Sequence, residues 1–159
     1  RAGAIRVKRK DEDVCVINFY VPPNGVTETT TNAVYDWLEK LHQALPSRCT
    51  PIYACDANGR VGSNENNETD DQDVTSSIGP CESDDENYNG RKLRESCVKY
   101  GLFAINTFYN IGPTYYATNK KGTTSRIDYI LAPKVVHEVE LVRDCRILLN
   151  KGVKLQPGK

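Results

Sequence analysis

The chain has 159 residues, 38% of them hydrophobic, and a mean hydropathy of −0.57; that is enough for one domain with its own core. No apolar run reaches the roughly 18 residues a membrane helix needs, and no signal-peptide pattern is visible. Lys plus Arg and Asp plus Glu both number 21, so the formal net charge is zero, which excludes recognition of nucleic acid by bulk positive charge but not an enzyme that handles phosphates locally.

The first segment, "AIRVKRK", alternates and breaks at "KDED", the pattern of a strand and a hairpin turn. "VCVINFYV" is rich in β-branched and aromatic residues and stops at Pro22 and Pro23, which predicts a strand. "NGVTETTTN" predicts a turn with a helix cap among its threonines. In "AVYDWLEKLHQAL", Val34, Trp37, Leu38, Leu41 and Leu45 fall at helical spacing, and Pro46 ends the run. "CTPIYACDAN" predicts a short buried strand. Residues 63–90 are rich in Asn, Asp, Glu, Ser and Thr and read as a long solvated loop with little to pack; their acidic spacing does not fit an EF-hand. "NGRKLRESCVKYGL" predicts a helix capped at Gly101. "FAINTFY", "TYYAT" and "SRIDYILAP" predict strands, with a turn at "IGP" and a hairpin tip at "NKKG". "VVHEVELVRDCRILL" predicts a helical turn running into a strand. This order predicts an α/β fold, a mixed sheet with helices packed on one face.

The cysteines (Cys15, Cys49, Cys55, Cys81, Cys97 and Cys145) form no CxxC pair, which argues against a zinc site. Cys15, Cys55 and Cys97 lie inside apolar patterns, as buried free thiols do, so the expected setting is intracellular and reduced. There is no Met, and the chain opens on "RAGAIRVKRK", so it is expected to be part of a longer reading frame.

Several polar residues stand where strands begin or end. Tyr20 closes one predicted strand, Asp56 and Asn58 close another, Thr114 opens a third, and Asp128 sits among Ile127, Tyr129, Ile130 and Leu131. Each has a plain structural reading. Asp and Asn form turns, and Arg126, two residues from Asp128 and on the same strand face, is its simplest ion-pair partner. Together they match the needs of phosphodiester hydrolysis: a base for water, a group to hold phosphate oxygens, and usually a divalent metal. His42, in the amphipathic helix, is expected at the surface, and neither it nor His137 has a supporting motif for a catalytic base.

Four segments in order resemble the endonuclease/exonuclease/phosphatase superfamily: "NFYVPPNG", "IYACDANGRVG", "NGRKLRESCVKYGLFAINTFY" and "PTYYATNKKGTTSRIDYIL". The nearest flavour is the apurinic-type endonuclease domain of non-LTR retrotransposons, over residues 14–132. The resemblance implies part of a four-layer α/β sandwich, DNase I-like, and cleavage of phosphodiester or phosphomonoester bonds with Mg²⁺ or Mn²⁺. It implies that Asp56 activates water, that Asn58 and Tyr20 hold the scissile phosphate, that Thr114 lends a hydroxyl at the site floor, and that Asp128 orients a catalytic His. DNA is the implied partner, and the nucleus the implied place of action. Two positions depart from the pattern: Cys55 stands where the family has Gly, and Ala57 where it has Phe.

The family's metal-binding Glu would lie before Arg1. Its terminal Asp-His segment is absent from "CRILLNKGVKLQPGK". Residues 1–159 are therefore expected to be a partial domain with no metal ligand set of its own. The expected function is a fragment of a metal-dependent endonuclease nicking DNA. The alternatives are a catalytically inactive binding module of the same fold, or a phosphatase or phosphodiesterase acting on a small phosphate ester.

Overall fold

The computed structural model describes residues 1–25, 27–63, 77–81, 85–117, 122–138 and 141–147. Strand β1 (Ala2–Lys8) turns back into β2 (Asp13–Tyr20), the turn held by the Arg9 N–H on the Glu12 carbonyl at 2.7 Å. Helix α1 (Glu28–Ala44) then crosses over, so that β3 (Thr50–Asp56) lies parallel to β2. Helix α2 (Tyr88–Tyr100) ends at Gly101, whose φ of +60° is the left-handed cap expected there. It feeds β4 (Leu102–Ala104) and a 3₁₀ turn (Ile105–Phe108). The ribbon β5 (Tyr115–Tyr116) and β6 (Thr124–Ser125) precedes β7 (Asp128–Pro133) and the short helix α3 (Lys134–Glu138). The main sheet runs β1-β2-β3-β7-β4. Its one parallel pair is β2–β3 and its other pairs are antiparallel, the mixed sheet that the element order predicts.

Strand alternation decides which face is covered. Cys15, Ile17, Phe19, Tyr53, Cys55, Tyr129 and Leu131 are buried with Leu38 of α1 and Leu93 and Cys97 of α2 in one cluster. Val34, Trp37, Leu41 and Leu45, the predicted stripe of α1, pack against it partly buried. The opposite face has cover at one end, where Phe103, Ile105 and Ala132 are buried under Phe108, Tyr109, Val136 and Val142. Over β1 and β2 it is open: Ile5 is 71% exposed, Val7 50% and Val16 45%.

Asn89 and Gly90, in the first turn of α2, clasp the ends of two strands. The buried Asn89 amide donates to the carbonyls of Pro22 (2.9 Å) and Asn58 (3.2 Å), just beyond β2 and β3. Asn87 caps the helix, its Oδ1 accepting the N–H groups of Gly90 and Arg60. A Cβ on Gly90 would collide with the Arg60 carbonyl.

The structure corrects four expectations. "FAINTFY" is a strand only to Ala104, because Thr107 Oγ1 bonds back to the Ala104 carbonyl at 2.6 Å and the chain curls into the 3₁₀ turn. Residues 141–147 form no strand. His42 is half-buried rather than a surface residue: its Nδ1 meets the Tyr53 hydroxyl at 2.6 Å, its ring stacks on Tyr100 at 4.5 Å, and burial lowers its pKa. Within the stretch read as a solvated loop, Ser77, Ile78 and Gly79 are buried, and Ile78 bridges to Ala104 beside the sheet. The rest of that reading, over 64–76 and 82–84, lies outside the described residues, as do the "NKKG" tip at 119–121 and the side chain of His137.

Gly90→Ala should cost about 2–3 kcal/mol by overpacking against backbone that cannot move aside, read as a shift in urea midpoint. The open face should bind a hydrophobic dye, and Val16→Thr with Ile5→Thr should lower that signal without lowering the urea midpoint.

Candidate active site

The sheet register brings three of the five predicted residues into one row. Tyr20 stands opposite Asp56 across the parallel pair, and Asp56 opposite Asp128 across the antiparallel pair. The row lies at the carboxyl ends of β2 and β3, on the face away from α1 and α2. The side chains next to Asp56 and Asp128 in the alternation explain the exposure: Cys55 and Tyr129 point into the core, so their neighbours point out. An open cavity of about 490 Å³ is lined by Tyr20, Asp56, Thr114 and Asp128, together with Asn106 and Arg146.

Asp56 is held at its base. Its Oδ1 accepts the Asn58 N–H at 3.1 Å. Burial raises its carboxyl pKa above the ordinary 3.8; the Asn58 N–H opposes this, and the charge of Asp128 adds to the rise. Two carboxylates thus share the cavity, and the charge of Asp128 disfavours that of Asp56.

Thr114 fixes the entry to β7. Its Oγ1 accepts the N–H groups of Ile127 (3.1 Å) and Asp128 (3.2 Å). A hydroxyl has two acceptor lone pairs and one O–H, so these bonds occupy the acceptors and leave the hydrogen to donate. Asn58 is placed differently from the other four. It adopts φ +42°, tolerable for Asn, and its amide donates to the Val21 carbonyl at 2.9 Å. It builds the turn that carries Asp56 and does not line the cavity.

Arg126, the simplest partner for Asp128, is buried and donates to the carbonyls of Cys81, Gly112 and Asn106. It braces three segments around the start of β7. Asn106 is the residue that motif reading missed. Its amide donates to the Asp128 carbonyl at 2.9 Å and its Oδ1 accepts the Ile130 N–H at 3.1 Å, continuing the ladder where β4 has ended. Its signal was a lone amide in the apolar "FAINTFY". Cys55, which stands where the resembled family has Gly, packs its side chain in the core, with Sγ 3.6 Å from the Tyr129 carbonyl.

A divalent cation of the Mg²⁺ kind takes hard oxygen ligands, and Asp56 and Asp128 are of that type. Among the described residues no group of three or more His, Cys, Asp or Glu side chains is placed to hold a metal. No helix among the described residues is long and apolar enough to cross a membrane.

No protein-family description and no curated protein matches the sequence. Solved structures do match. The endonuclease domain of TRAS1, a telomere-specific non-LTR retrotransposon, superposes with a TM-score of 0.55 and 16% identity, over 86% of this chain and 52% of that one. An AP endonuclease from Archaeoglobus fulgidus gives 0.49 and 19%, over 85% and 54%. The chain spans about half the length of these solved structures. At such identity the likeness is one of architecture: the chain has the DNase I-like α/β fold of the TRAS1 endonuclease domain.

Proposed function

We propose that the cavity receives a phosphodiester and that residues 1–159 are the part of a metal-dependent endonuclease domain, acting on DNA, that carries the water-activating side of the site. The observation that carries this reading is the row Tyr20–Asp56–Asp128 along one wall of an open cavity. The name of the similar TRAS1 structure, an endonuclease domain, agrees with it.

In this reading Asp56 accepts a proton from the attacking water. Its raised pKa makes it a better base than an ordinary carboxylate. Tyr20 and Thr114 donate their hydroxyl hydrogens to phosphate oxygens. Asp128 keeps Asp56 basic by its charge, and Asn106 and Thr114 fix the strand that carries it. Asn58 acts through the Asp56 turn as a positioning residue. A bound Mg²⁺ or Mn²⁺ would supply charge neutralisation and polarisation of the phosphate.

The same donor set favours a second reading, a non-catalytic module of this fold that binds through the cavity. The two are separated by nicking of supercoiled plasmid with Mg²⁺, using a polypeptide that extends this chain in its reading frame. The enzyme reading expects nicking, lost at least a hundredfold in Asp56→Ala by the usual effect of removing a general base. Absence of nicking with binding intact would leave the module.

The Asp56 environment also makes a stability prediction. A carboxyl whose folded pKa is raised destabilises the fold above that pKa, and does so no longer below its unfolded value of 3.8. Asp56→Asn keeps the acceptor for the Asn58 N–H and removes the charge. Its urea midpoint should exceed the wild type's at pH 7, and the difference should vanish as the pH falls below 3.8.

A further inference from the structure

A phosphodiester entering this cavity meets two carboxylates, Asp56 and Asp128. An anion beside them needs a counter-charge. Among the described residues lining the cavity, Arg146 is the one cation. It arrives on residues 141–147, which follow α3 without regular structure. That segment is moored by the Tyr109 hydroxyl, which donates to the Val142 carbonyl at 2.6 Å, and by Val142 packing beside Phe103 and Ala132. Four residues past this mooring, the Arg146 guanidinium is 76% exposed and pairs with Asp144 at 3.0 Å, itself 58% exposed. An ion pair this exposed contributes little and is readily exchanged. A guanidinium also offers a fork of donors that matches phosphate oxygens.

We propose that Arg146 is a phosphate-binding residue of the site, and that Asp144 holds its guanidinium at the cavity mouth until a phosphodiester of a nucleic-acid strand displaces the carboxylate. The proposal rests on the phosphodiester reading of the cavity and adds to it the residue that offsets the charges of Asp56 and Asp128.

The test is binding of a short fluorescein-labelled oligothymidylate to the 159-residue chain, followed by fluorescence anisotropy over a range of salt. Arg146→Ala should weaken binding about tenfold and lower the salt slope by about 0.7, the value for one lost contact on a single strand. Arg146→Lys should recover part of the loss, since the charge remains but the fork does not. Asp144→Asn should tighten binding in the wild type and have no effect once Arg146 is alanine. Asp56→Asn, which removes a repelling charge inside the cavity, should tighten binding whichever residue holds the phosphate. If Asp56→Asn tightens binding but Arg146→Ala matches the wild type in affinity and slope, the Arg146 proposal is overturned and the phosphodiester reading stands. If the wild type does not bind, or binds with no response to Asp56→Asn, both fall. Arg146 and Asp144 are exposed, so circular dichroism of these variants should match the wild type.

Discussion

The close approach between the exit of β3 and the first turn of α2 is the constraint on which the rest depends. A Cβ on Gly59 would lie 2.6 Å from the Gly90 nitrogen, so backbone meets backbone with no side chain between. That contact lets the Asn89 amide reach both the Pro22 and Asn58 carbonyls and lets Asn87 cap its own helix while holding Arg60. The Tyr35 hydroxyl, from α1, closes the arrangement on the Asn89 carbonyl at 3.3 Å. The ends of β2 and β3, where Tyr20 and Asp56 stand, are thus fixed by the helix layer behind them. Neutral hydrogen bonds to buried backbone achieve this without placing any charge in the core.

A second brace works on the other side of the site. Buried Arg126 donates to carbonyls from three segments, while Thr114 and Asn106 bond the backbone of residues 127–130. The side chains nearest the cavity are therefore of two kinds. Asn58, Asn106 and Arg126 are committed to structure, whereas Tyr20, Asp56, Asp128 and Arg146 line the opening. Arg94 plays the structural part on α2, its guanidinium donating to the Val61 and Gly62 carbonyls and pairing with Glu86 at 3.0 Å. Buried cations here serve to gather loops, which have many free carbonyls and few other partners.

Much of this was legible in the sequence because burial imposes periodicity. The stripe of α1, the alternation of β2 and the Gly101 cap each follow from local rules. The register that aligns Tyr20, Asp56 and Asp128 does not, since it depends on long-range pairing; their polar chemistry at strand ends, and then the resemblance to a known family, put those residues together. Where local reading failed, tertiary bonds had won. "FAINTFY" has strand propensity throughout, yet Thr107 and Asn106 bond to backbone and stop the strand early. His42 is expected at the surface of its amphipathic helix but meets Tyr53 and Tyr100. Ile78, one apolar residue in a polar stretch, carried too little pattern to reveal that it is buried. Arg146 lay in a segment with no periodic element around it to give its position meaning.

The order of the sheet has a bearing on how such a protein is made. Tyr20, Asp56 and Asp128 lie far apart along the chain, and β7, the last of the described strands in chain order, inserts between β3 and β4. Until it does, the middle of the sheet is unfilled, and β3 and β4 present bare edges toward each other. Closing long loops before contacts reward them is slow, and unpaired edges invite the wrong neighbour. A ribosome-bound chain stalled before residue 128 would therefore hold most of its helices and the Tyr20–Asp56 pair but lack Asp128, so the row is completed in the same step as the sheet.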